Sequence, residues 1–129
     1  MTRREAREVA FILLFEKLFT EETMEEILEK AKEARDLEVN AFASRLACGT
    51  ADKREALDAL IEPALHNWSK ERLSRVALTV LRLAAYEMQF EEETPTGVAI
   101  NEAVEIAKKY GGTDDASFIN GVLGTLSRA

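Results

Sequence analysis

Arg3, Arg4 and Arg7 crowd onto about one helical turn near the start of the sequence. Guanidinium groups so spaced can contact phosphates, and an aromatic ring nearby would add stacking on an unpaired base. The same residues also fit ordinary surface arginines paired with Glu5 and Glu8. Phe118 is the second candidate. Ile119, Val122, Leu123 and Leu126 share one face of the last helix, and Phe118 falls about 100° off that stripe. A phenylalanine there either packs at the edge of the core or offers its ring to a base.

The residue types that catalysis needs are scarce. His66 is the single histidine and Cys48 the single cysteine, which excludes a His-x-x-x-His metal site and a two-histidine mechanism. Cys48 stands between Ala47 and Gly49, where a small buried thiol is the simpler reading. Gly111-Gly112 and Gly121-x-x-Gly124 are too sparse for a phosphate-cradling loop. The paired carboxylates lie on acid-rich faces, where solvation accounts for them. No catalytic residue, metal ligand or cofactor is expected.

The elements that must position the arginines and Phe118 are helices. The chain has 129 residues, 47% hydrophobic and 32% charged, too apolar for a disordered segment. Only 6 glycines and 2 prolines leave little material for the turns of a β-rich fold. Seven apolar residues in succession, Val9 to Phe15, cover a helix from Arg3 to Phe19 all the way round. Such a helix is central to the core, or buries one side and offers the other to a partner. Thr23 and Glu26 form a capping box for a helix to about Arg35, within an acidic stretch, Glu21 to Glu38, that reads as a solvated face. Asn40 caps a third helix ending before Pro63, and Ser69 a single turn. Ser74 opens a long helix to about Phe90, with Val76, Val80, Leu83, Ala84 and Met88 near its inner face. Thr94 and Pro95 start the next helix, to Tyr110, and Thr113 caps the last, to about Ser127. An all-α domain of about six to seven helices, spanning 1–129, is expected.

Lys+Arg number 17 against 24 Asp+Glu, a formal net charge of −7. Bulk charge therefore argues against generic nucleic-acid binding and leaves only a local basic patch to do it. No stretch reaches the ~20 apolar residues of a membrane span. Glu16 and Lys17 stand where a secretion signal would place its cleavage site. A lone cysteine fits a reducing cytoplasm. Asn67-Trp68-Ser69 has the form of a glycosylation acceptor, without meaning in that setting.

Two segments carry a family resemblance. Val98-Ala99-Ile100-Asn101-Glu102-Ala103-Val104-Glu105-Ile106-Ala107-Lys108-Lys109-Tyr110-Gly111 and Phe118-Ile119-Asn120-Gly121-Val122-Leu123 resemble the signature of the NusB family of bacterial antitermination proteins. Leu81 to Met88 matches the family's long helix, Trp68 to Leu73 the stretch before it, and Arg4-Glu5-Ala6-Arg7-Glu8 its opening. The resemblance spans essentially the whole chain. It implies a pair of small helical bundles with the arginine-bearing first helix between them. It also implies binding of boxA, a single-stranded element of ribosomal RNA leaders, jointly with NusE, a small-subunit ribosomal protein. The pair would join elongating RNA polymerase with NusA and NusG, and no reaction would be catalysed.

By the same resemblance the RNA surface uses Arg3, Arg4, Arg7 and Phe118, and the NusE face uses Phe15 and Glu87. Asn101 and Asn120 are expected in structural roles. The family includes monomers and homodimers. Thr96 and Gly97 depart from a tyrosine or lysine pair common after the proline, and Ser117 replaces a lysine beside the phenylalanine. Loss of that cation should weaken phosphate contact by about 1 kcal/mol and flatten the salt dependence. Tight RNA binding is then expected to rely on NusE. The alternative is a helical protein-interaction module of the same fold with negligible RNA binding.

Overall fold

The structure, a computed structural model, describes residues 1–34, 38–66 and 69–128. Arg35, Asn67 and Trp68, which carry an expected helix end, the acceptor-like triplet and part of the resemblance, lie outside the described residues. The described residues form α1 (Arg3–Lys17), α2 (Met24–Ala34), α3 (Ala41–Asp52), α4 (Arg54–Ile61), α5 (Arg75–Phe90), α6 (Thr96–Tyr110) and α7 (Thr113–Ser127). Single 3-10 turns occupy Glu62–Leu65 and Lys70–Arg72, and no strand occurs among the described residues.

Caps fix most boundaries. Thr2 and Glu5 exchange hydrogen bonds in a capping box at the head of α1. Thr23 and Glu26 make the expected box before α2. Asn40 Oδ1 accepts from the Ala43 N–H at 2.8 Å, and Ser74 Oγ from the Ala77 N–H at 3.0 Å. Three expectations shift. The third helix is two helices, broken at Lys53, whose φ of −104° and ψ of 17° leave the helical basin. Pro95 is the cap residue of α6 rather than its first helical residue; its carbonyl accepts from the N–H groups of Val98 and Ala99. Gly112, not Thr113, caps α7, its carbonyl accepting from Ala116.

Helices α1 and α5 are the two axes of the packing. Helix α1 touches α2, α3, α5 and α6, while α5 touches α1, α3, α4, α6 and α7. The first three helices thus form one small bundle and the last four another. Val9, Ala10, Phe11, Leu13 and Leu14 are all buried, so most of the apolar run is core; Ile12 and Phe15 stay half-buried. Burying side chains of this size contributes roughly 1.5–3 kcal/mol each. On α5, Val80, Leu83 and Ala84 are buried as expected, with Val76 and Met88 half-buried. Gly49 lets α3 and α5 approach: a Cβ there would lie 2.2 Å from Tyr86 Cζ.

Pairings set the directions of the helices. Arg7 meets Glu87 while Phe19 meets Arg75, so α5 runs antiparallel to α1. Arg4 meets Glu102 while Glu8 meets Lys109, so α6 runs parallel to α1. No helix among the described residues is long and apolar enough to cross a membrane. None of their His, Cys, Asp and Glu side chains group in a way that could hold a metal ion. Burial raises the pKa of the Cys48 thiol, which suits a packed cysteine rather than a nucleophile.

Candidate functional site

The three arginines at the head of α1 have three different environments. Arg7 is 6% exposed. Its Nε lies 2.9 Å from both Glu87 oxygens, its Nη2 2.7 Å from Glu87 Oε2, and its Nη1 3.4 Å from Glu102 Oε1. Arg4 uses its Nε–Nη2 edge on Glu102, at 2.8–3.2 Å, while its side chain stays 71% exposed. The Nη1 side of Arg4 is left for an outside acceptor. Arg3 makes no hydrogen bond or ion pair with a described residue, and its guanidinium lies 4.1 Å from the centre of the Phe42 ring.

The spacing of the residues explains this division. Arg3 and Arg7 are four apart and share the side of α1 that faces α3, whereas Arg4 is turned about 100° toward α6. Phe42, buried at the start of α3, is ringed by Arg3, Arg7 and Arg45, whose guanidinium lies 5.2 Å from its centre. Arg45 is itself clamped by Glu91 at 2.8 and 3.0 Å. The hydrogen bond to Glu102 raises the pKa of Arg4, and the reciprocal bond from Arg4 lowers that of Glu102. Arg45 likewise holds Glu91 below the usual carboxylate range.

The sequence reading puts Arg7 on an RNA surface and Glu87 on a partner surface. In the structure both are inside: Glu87 is 2% exposed and joined to Arg7. Glu102, Phe42, Arg45 and Glu91 complete the cluster, and the sequence reading gave none of them a role there. No local signal could have done so, because Arg7 and Glu87 are 80 residues apart and Arg4 and Glu102 are 98 apart.

Phe118 is in a different place. It is half-buried on α7, beside Leu73, Ser74 and Ala77 at the start of α5, with Arg72, Asp114 and Asp115 around the same hollow. A second hollow, on the side of Ser117 and Gly121, reaches His66. Glu87 is ten residues along α5 from Ala77, so the arginine cluster and Phe118 stand about 15 Å apart along that helix. Val80 and Ala84 bridge the interval on a stripe within about 80° of arc. Gly97, one of the departures, has open space around it.

The far end of α1 carries an aromatic row. Ring centres of Phe11 and Phe15 are 5.8 Å apart, Phe15 and Phe19 5.3 Å, and Phe11 and Tyr110 4.9 Å. Phe11 is the buried root of the row, while Phe19 is 58% exposed and Tyr110 38%. The Arg75 guanidinium lies 4.9 Å from the Phe19 centre. Phe15, expected at a partner face, is thus the middle of a patch that the sequence reading did not extend to Phe19 and Tyr110.

Comparison with known proteins identifies the family and the fold. Residues 4–128 match the model of the NusB family. The chain is 42% identical over 143 residues to the transcription antitermination protein NusB of Clostridium botulinum (strain Kyoto / Type A2), covering 98% of this chain and 99% of that one. Among solved structures, T. maritima NusB superposes with a TM-score of 0.87 at 36% identity, covering 99% of this chain and 92% of that one. A structure of the antitermination factors NusB and NusE in complex with double-stranded RNA superposes with a TM-score of 0.86 at 27% identity, covering 98% and 96%. The chain belongs to the NusB family, a family of transcription antitermination factors that catalyse no reaction.

Proposed function

We propose that this chain binds RNA jointly with NusE and acts as an antitermination adaptor. It would recognise boxA in ribosomal RNA leaders and, in the cytoplasm, join elongating RNA polymerase with NusA and NusG. The observation that carries the RNA part is the exposed Arg3 guanidinium, which lies on the Phe42 ring and makes no ion pair with any described residue, next to the half-used fork of Arg4. In a chain of net charge −7 this is a local cationic point where a phosphate can be bound without breaking an existing ion pair. Phe118 would stack a base about 15 Å away, so the RNA would run along the α5–α6–α7 side. The solved NusB–NusE–RNA complex of the same fold supports the reading.

Two roles change with the geometry. Arg7 and Glu87 would hold α1 against α5 and set the direction of Arg3 and Arg4, rather than touch RNA or NusE themselves. The NusE face would be the aromatic row of Phe15, Phe19 and Tyr110. A second reading, an interaction module with negligible RNA binding, is favoured by the acids that already neutralise Arg4, Arg7 and Arg45.

Fluorescence anisotropy of a labelled boxA RNA, with and without the cognate NusE at two salt concentrations, separates the two. Weak binding alone, tight binding with NusE and loss with a scrambled RNA support the adaptor. NusE binding with no RNA binding at any salt leaves the interaction module.

A further inference from the structure

We propose that Arg72 is a nucleotide-binding residue of this chain, taking the phosphate of the nucleotide whose base stacks on Phe118. The proposal rests on the RNA reading above and adds to it a residue to which the family resemblance assigned no role. Arg72 and Phe118 line one hollow of about 170 Å³. That is below the ~300–1,000 Å³ of small-molecule sites, a space for one planar base rather than a whole cofactor. Leu73 and Ala77 give it an apolar wall.

Its charge pattern makes Arg72 decisive. Asp114 and Asp115 also line the hollow, and two carboxylates alone would repel a phosphate. Among the described residues that line the hollow Arg72 is the one cation, and its guanidinium makes no hydrogen bond or ion pair with any described residue. One Asp115 oxygen is occupied by the Ser74 hydroxyl at 3.1 Å. Ser117, which points no charge at Phe118 from its own helix, leaves the task to a neighbouring element.

The backbone holds Arg72 in place. Its N–H donates to the Ser69 carbonyl at 3.0 Å, and that of Leu73 to Lys70 at 3.2 Å. Ser74 then caps α5 while its hydroxyl ties the turn to α7. An arginine fork on an anchored turn, next to a half-buried ring, suits a phosphate and the base attached to it.

The test is anisotropy of a labelled single-stranded boxA RNA titrated with the NusE complex of wild type, Arg72→Ala, Arg72→Lys and Phe118→Ala across a salt series. Arg72→Ala should bind about fivefold more weakly, with a slope of log affinity against log salt flatter by about 0.7. Arg72→Lys should keep the slope, because the charge remains, and lose part of the affinity, because an ammonium cannot make the two-pronged contact. The side chain is exposed, so the melting midpoint and NusE affinity should match wild type. If Arg72→Ala matches wild type in affinity and slope while Phe118→Ala weakens binding, the Arg72 assignment is wrong and the RNA reading stands. If wild type binds no RNA with NusE present, the RNA reading fails and this proposal goes with it.

Discussion

Arg7 and Glu87 are both nearly sealed from water, so each is tolerable only because of the other. Arg7→Ala should leave a buried, unpaired carboxylate and cost about 3–5 kcal/mol, read as a large drop in the urea midpoint. Arg7→Ala with Glu87→Ala should recover part of that loss. If Arg7→Ala unfolds at the wild-type midpoint and only RNA binding falls, Arg7 touches RNA directly and its structural role is refuted. Tyr110 gives a pH signature. Burial, and then its hydrogen bond to Glu8, push its pKa up to about 12, against about 10 when unfolded. The folded state holds the phenol proton more tightly, so this contribution is complete below about pH 10 and is lost as pH rises through 12. Unfolding free energies measured between pH 9 and 12 should therefore fall more steeply for wild type than for Tyr110→Phe.

Among the helices, two glycines should respond in opposite directions. At Gly49 a methyl would enter the Tyr86 ring, so α3 and α5 would have to separate or Tyr86 would have to turn. Gly49→Ala should cost about 1–3 kcal/mol, more than the improved helix propensity returns. At Gly121, inside α7 and exposed, nothing lies within 4 Å of a built Cβ. Gly121→Ala should stabilise by about 1 kcal/mol. Thermal melting of the two variants checks both signs in one experiment; a stabilised Gly49→Ala would mean that the α3–α5 approach is looser than described. The break at Lys53 matters on the same scale. It allows α4 to leave the line of α3 and place Asp58 against Arg82, with Nε–Oδ1 and Nη2–Oδ2 distances both 2.8 Å.

Across the whole molecule, α1 links two ends with different chemistry. Its 15 residues span about 22 Å, with the arginines at one end and the aromatic row toward the other. Phe19 is mostly exposed, so its removal should hardly change folding stability. If the proposed NusE face is the aromatic row, truncating Phe19 should cost about 2 kcal/mol of association. Calorimetric titration of Phe19→Ala with NusE measures this; unchanged affinity would move the partner face elsewhere. With net charge −7, affinity of the isolated chain for RNA should be weak and should fall steeply with salt.

The helices themselves were legible in the sequence, because periodicity, caps and scarce glycine are local. Asn40, Ser74 and Thr23 cap where their side chains can reach the next N–H groups, a property of three or four adjacent residues. Family membership was legible too, from the runs at Val98–Gly111 and Phe118–Leu123. The fate of each arginine was not. One turn of helix holds an exposed Arg3, a half-engaged Arg4 and a buried Arg7, and what separates them is the arrival of Phe42, Glu87 and Glu102 from α3, α5 and α6. The nearness of Arg72 to Phe118 is of the same kind, set by how the turn before α5 docks on α7. Sequence determines which faces are apolar and where helices begin, because those depend on neighbours along the chain. Tertiary structure decides which charges remain free for a ligand, because pairing depends on contacts between residues far apart in the chain.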